Sequence, residues 1–262
     1  DGTVWAWGEN KYGQLGDGTY EDKNIPVQVL NLKDIVSISA GGNHSIASDK
    51  KGTLFGWGSD WYGQLSIEVE GHPNHPTRTL DSENFINLSL SNLNSLALKD
   101  DGTVWQWGYF FDSSCDFWNM EIINRPTQIQ GLYDIIEVKK SPYLEYEKEH
   151  TLVLKNDGTV WSWGCDSNGA LGDGTNLPKH FPVQVKNLTN IVKISAGQGF
   201  SIALKSDGTV WAWGLNDEGQ IGNGKYENNN VPVQSLNLEN IVDISAGESH
   251  SLALKSDGTV WA

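Results

Sequence analysis

The 262-residue chain is 38% hydrophobic, enough to bury a large core within one all-β domain, and its composition excludes a disordered or fibrous polymer. Its 18 Lys and Arg against 33 Asp and Glu give a net charge of -15, a field that repels phosphate backbones and anionic membranes, so no nucleic acid partner is expected. No apolar run approaches the roughly 20 residues of a spanning helix, so no membrane insertion is expected either.

The opening octet, Asp1-Gly2-Thr3-Val4-Trp5-Ala6-Trp7-Gly8, returns from Lys51 in looser form, then from Asp101, Asp157 and Asp207, and begins again at Asp257. Repeat starts near 1, 51, 101, 157, 207 and 257 make the third period the long one. Residues 1–262 are therefore expected to form a single β-propeller domain. With no initiator Met and an opening in mid-repeat, the sequence reads as covalently part of a longer chain, and its first residues are not a signal peptide.

Each period holds four short β-compatible runs bounded by Gly, Asp or Asn, as in Ile191 to Ala196, Ser201 to Leu204, Thr209 to Gly214 and Pro232 to Ser235. Four strands per period predict one four-stranded propeller blade per repeat. The first run is rich in Ser, Ala and Gly, as expected of an innermost strand. Asp-Gly-Thr between the second and third runs predicts a tight hairpin. In the third run Trp5 and Trp7 share one face, and the repeated tryptophans are expected to be buried between blades.

His44-Ser45-Ile46-Ala47, Ile35-Val36-Ser37-Ile38-Ser39-Ala40-Gly41 and the stretch from Trp7 to Gly18 closely resemble the regulator of chromosome condensation repeat, over essentially the whole chain. Members of that family are usually seven-bladed, and the five periods plus a fragment found here are expected to belong to such an array. The resemblance implies a protein partner. Its bacterial-type variant, with near-identical repeats, implies a secreted or cell-surface protein more than a cytoplasmic one.

Several motifs are expected to be scaffold. Gly219-Gln220-Ile221-Gly222-Asn223-Gly224-Lys225 mimics a phosphate loop, but Tyr226 stands where Ser or Thr is required and no helix follows. His44, His150 and His250 are periodic, as scaffold hydrogen bonds would be. His72 and His75 have an H-x-x-H spacing but lie in a Pro-containing loop, so no metal is expected. Without a nucleophile elbow or an H-E-x-x-H helix, neither a catalytic residue nor a cofactor is expected. Cys115 and Cys165 fall in same-face loops of adjacent blades, where a bridge is geometrically open, although free thiols are the favoured expectation.

The departures from the repeat point to the candidate site. After Gly108 the Gly-Gln-Leu-Gly loop is replaced by residues 109–121, and the next first-to-second strand loop expands to residues 141–149. Both carry aromatics among acids, and Phe110, Phe111, Phe117, Trp118, Tyr143 and Tyr146 are the candidate partner-binding residues. The alternative is that several of them fill a gap left by the degenerate repeat. The expected function is a non-enzymatic protein-interaction module. Two other functions compete: guanine-nucleotide exchange on a small GTPase, and secreted inhibition of an enzyme such as a β-lactamase.

Overall fold

The computed structural model describes the chain except for residues 69, 70, 82, 112–114, 116–119 and 143–148, and describes Phe111 and Met120 by backbone alone. Among the described residues all regular elements are strands, and no helix is long and apolar enough to cross a membrane. The chain divides into two compact units, Asp1–Phe110 with Met120–Tyr133, and Phe111–Asn119 with Asp134–Ala262.

In the first unit β1 (Trp5–Gly8) and β2 (Lys23–Gln28) form an antiparallel pair. β3 (Ile35–Ala40), β4 (His44–Asp49), β5 (Leu54–Gly58) and β6 (Thr77–Arg78) make a four-stranded sheet in chain order. β7 (Phe85–Leu90), β8 (Asn94–Lys99), β9 (Val104–Phe111) and β10 (Met120–Gln128) make the next. The second unit repeats the meander with β11 (Ile135–Lys140), β12 (His150–Lys155), β13 (Val160–Gly164) and β14 (Lys179–Gln184). β15 (Ile191–Ala196), β16 (Phe200–Lys205), β17 (Val210–Gly214) and β18 (Asn229–Gln234) follow, and β19 (Ile241–Ala246), β20 (Ser251–Lys255) and β21 (Val260–Trp261) form a three-stranded sheet. First strands of successive sheets are neighbours, β3 with β7 and β15 with both β11 and β19, as expected of strands nearest an axis.

Local chemistry explains the turns. Asp101 accepts hydrogen bonds from the backbone N–H (2.9 Å) and hydroxyl (2.6 Å) of Thr103, closing the hairpin between β8 and β9. The same pair recurs at Asp157 with Thr159 and at Asp207 with Thr209.

The tryptophan pair splits, which corrects the expectation that all repeated tryptophans are buried. Trp57, Trp107 and Trp213, second of each pair, are enclosed, and their indole N–H groups donate to the carbonyls of Gln14, Gln64 and Ala170 at 2.8, 2.8 and 2.7 Å. The close approach is set by a small residue. A Cβ on Gly172 would lie 2.7 Å from Trp213 Nε1, and Gly172 also has a φ of 67°. Trp105 and Trp211, first of each pair, are only half-buried, each beneath a lysine ammonium, Lys99 at 4.2 Å and Lys205 at 4.3 Å. Trp5 and Trp7 are 54% and 63% exposed.

Candidate protein-contact site

A lattice of polar groups links successive sheets within each unit. Gln64 O accepts from Ser95 Oγ (2.7 Å) as well as from Trp107, and Ala170 O accepts from Ser201 Oγ (2.9 Å) as well as from Trp213. Each serine has one proton, already donated, so its oxygen accepts from the histidine of the preceding sheet. His44 Nε2–H therefore donates to Ser95 (3.2 Å) and His150 Nε2–H to Ser201 (2.8 Å). Burial holds His44 neutral, its pKa lowered to about 3. The periodic histidines at 44 and 150 are thus structural members, while His250 is exposed.

The decoy glycine loop is also committed. Gly219, Gly222 and Gly224 have φ values of 80°, 70° and 77°, and the first two turn their N–H groups inward, Gly219 to Asn216 O (3.0 Å) and Gly222 to Gly219 O (2.9 Å). His72 Nδ1 accepts from the backbone N–H of Asp60 at 3.1 Å, with the rings of Tyr12 and Trp61 against it. Among the described residues no group of three or more His, Cys, Asp or Glu is arranged to hold a metal.

The third repeat departs from its neighbours in backbone as well as sequence. Tyr109 to Phe111 continue β9, and Met120 and Glu121 open β10, so the ends of the expected 109–121 loop are strand. Aromatics at 109–111 suit a pleated ribbon better than the glycine-lined turn they replace. Tyr109 is buried against Tyr62, ring centroids 4.7 Å apart, and belongs to the core. Of the candidate residues, Phe110 is half-buried near the end of β9 and Phe111 ends that strand; Phe117, Trp118, Tyr143 and Tyr146 lie outside the described residues.

What the structure adds is how the two expanded segments are anchored. Cys115 and Cys165 are joined in a disulfide with Cα atoms 5.8 Å apart, correcting the expectation of free thiols. The N–H of Cys165 donates to Glu149 O at 2.8 Å, so the bridge sits at the base of the 143–148 segment. That base is closed by Ser141 N–H to His150 O (3.0 Å), by His150 N–H to Ser141 Oγ (2.8 Å) and by a buried ion pair, Lys140 Nζ to Glu149 Oε1 at 3.0 Å. Segments distant in sequence are thus fastened at one place in the second unit. No motif in the sequence signals this closure.

Repeated four-stranded antiparallel meanders locked by a His, Ser, carbonyl and Trp lattice define a β-propeller of tandem-repeat blades. The model of the Regulator of chromosome condensation (RCC1) repeat matches residues 1–48, 157–204 and 207–254, a second model of the same description matches 35–64 and 191–220, and the chain belongs to this family. The E3 ubiquitin-protein ligase HERC2 of Homo sapiens is 31% identical over 207 residues, which is 78% of this chain but 3% of that protein. Prp20p from Saccharomyces cerevisiae shares the fold with a TM-score of 0.81 at 23% identity, over 99% of this chain and 66% of its own. Human WBSCR16 does so with a TM-score of 0.80 at 23% identity, over 97% and 68%. The chain therefore spans less than two thirds of HERC2 and of Prp20p.

Proposed function

We propose that this chain is a non-enzymatic protein-binding propeller whose contact surface is carried by the expanded stretches 109–121 and 141–149, with Phe110, Phe111, Phe117, Trp118, Tyr143 and Tyr146 as anchors. The observation that carries this reading is the junction at Cys165, which ties Cys115 to the base of the neighbouring segment. Joining Cys115 to Cys165 restricts the chain beside both aromatic-rich stretches, which reduces the entropy lost on binding. The net charge of -15 favours a partner with a basic face, steered by the acids. Prp20p is described by its binding to Gsp1p and histones, an example of a related fold with protein partners.

We read the same disulfide as support for an oxidising compartment, secreted or cell-surface, and on that reading rank secreted inhibition of an enzyme ahead of nucleotide exchange on a small GTPase. The experiment is parallel capture on immobilised wild-type chain and on a folded Phe117→Ala/Trp118→Ala variant, read by mass spectrometry. A protein retained by the first and lost from the second supports the assignment; a captured set identical on both refutes it.

A further inference from the structure

The loop after each third strand is organised around one buried side chain. In the first repeat this is Asn10, whose Oδ1 accepts from Leu15 N–H (3.0 Å) while Nδ2 donates to the carbonyls of Thr19 and Glu21 (both 3.1 Å) and to Asp17 Oδ1 (3.2 Å). Asn216 does the same with Ile221 N–H (2.9 Å) and the carbonyls of Lys225 (2.8 Å) and Glu227 (3.2 Å). The cage offers one donor for Oδ1 and several acceptors for the amide.

In the loop between β13 and β14 the corresponding residue is Asp166, two places after Gly164 as Asn10 follows Gly8. Its Oδ1 keeps the expected bond from Leu171 N–H at 2.9 Å. Its Oδ2, which replaces the amide nitrogen, is enclosed and has no partner among the described residues, and the residue is 2% exposed. The charged groups facing it are Asp173 and Lys179. Lys179 does not serve Asp166: its ammonium bonds Asp173 Oδ2 (2.9 Å), Thr175 Oγ1 (2.9 Å) and Leu177 O (3.0 Å). An ionised Asp166 thus sets an oxygen anion in a place shaped for a donor.

We propose that Asp166 is a proton-operated latch of the β13–β14 loop: protonated on Oδ2 it donates to the acceptor cage as asparagine does in the sister repeats, and on ionisation it loses that bond and loosens the loop. Burial, with Asp173 adding to it, pushes the carboxyl up to about 7. Asp60, in the equivalent place of the second repeat, is raised to about 6, but Ile67 replaces the acidic acceptor of that cage. The latch lies beside Cys165, so loosening reaches the anchor of the candidate contact segments.

Asp166→Asn in the full chain supplies the donor at every pH. The folded pKa of Asp166 is raised above its unfolded value, so its contribution is fully present below about pH 4 and is lost as pH rises through about 7. The ratio of mutant to wild-type folding constants should therefore grow by up to about tenfold per pH unit between roughly pH 4.5 and 7 and then level off. Asp60 and the histidines are common to both proteins and cancel in the ratio. A ratio constant across that range, or one falling with pH, overturns the latch. In the wild type, the carbon-13 resonance of the Asp166 carboxyl should titrate near neutrality, and a midpoint near 4 overturns it. Stabilisation by calcium of the wild type but not of Asp166→Asn would overturn it as well, because the cage would then hold a cation in place of the proton.

Discussion

Replacing Trp213 by alanine tests the packing logic most sharply when set beside Trp161→Ala. Trp213 is fully enclosed among Leu152, Leu154, Val185, Leu188 and Ile194, and it donates to Ala170 O at 2.7 Å. Truncating a tryptophan in such a core costs about 3–5 kcal/mol, and the lost hydrogen bond adds about 1 kcal/mol. Ala170 O retains the Ser201 hydroxyl, so no carbonyl is orphaned and the total stays near about 5 kcal/mol. Trp161 is half-buried and its indole N–H has no partner among the described residues, so removing it sacrifices less apolar contact and also removes an unsatisfied donor. Its cost should be about half as large or less. Urea unfolding followed by far-ultraviolet circular dichroism avoids the loss of a fluorophore. With a slope of about 2 kcal/mol/M, the Trp213→Ala midpoint should fall by about 2.5 M and the Trp161→Ala midpoint by about 1.2 M or less. Equal shifts, or a larger one for Trp161→Ala, would refute the division of labour within the pair.

Replacing Cys115 and Cys165 together by serine opens a link across 50 residues and should cost about 2–4 kcal/mol, read as a lower thermal midpoint that reductant reproduces in the wild type but not in the variant. His44 has a folded pKa of about 3, below its unfolded value, so its contribution is present above about 6.5 and is lost as pH falls. The stability difference between wild type and His44→Gln should therefore shrink by about 2 kcal/mol from pH 7.5 to 5, measured by denaturant titration at both pH values.

The strands, the hairpin turns and the structural role of His44 and His150 were legible because each is a local rule repeated at a fixed period. Asp-Gly-Thr closes its turn with its own side chains, and β-compatible runs fall where Gly and Asn interrupt them. The fate of each tryptophan was not legible, since Trp161 and Trp163 share a strand face. Burial of the second indole depends on the carbonyl of a loop in the preceding repeat, as Ala170 O shows for Trp213. Tyr109 falls in a stretch expected to be a loop, whereas the strand continues and delivers it to Tyr62. The cysteine pairing and the Lys140 to Glu149 ion pair depend on three-dimensional proximity that a spacing does not encode. Asp166 was discoverable in principle: aligning it with Asn10 and Asn216 exposes a carboxyl where a donor is needed.

The most direct test of the contact site is a titration of a captured partner against wild type and Trp118→Ala, with the thermal midpoint of each protein measured alongside. An anchor in the contact surface predicts a loss of at least about 1–2 kcal/mol in affinity, roughly ten-fold, with an unchanged midpoint. A large drop in the midpoint with the affinity per folded molecule unchanged would contradict the account and assign Trp118 to the core.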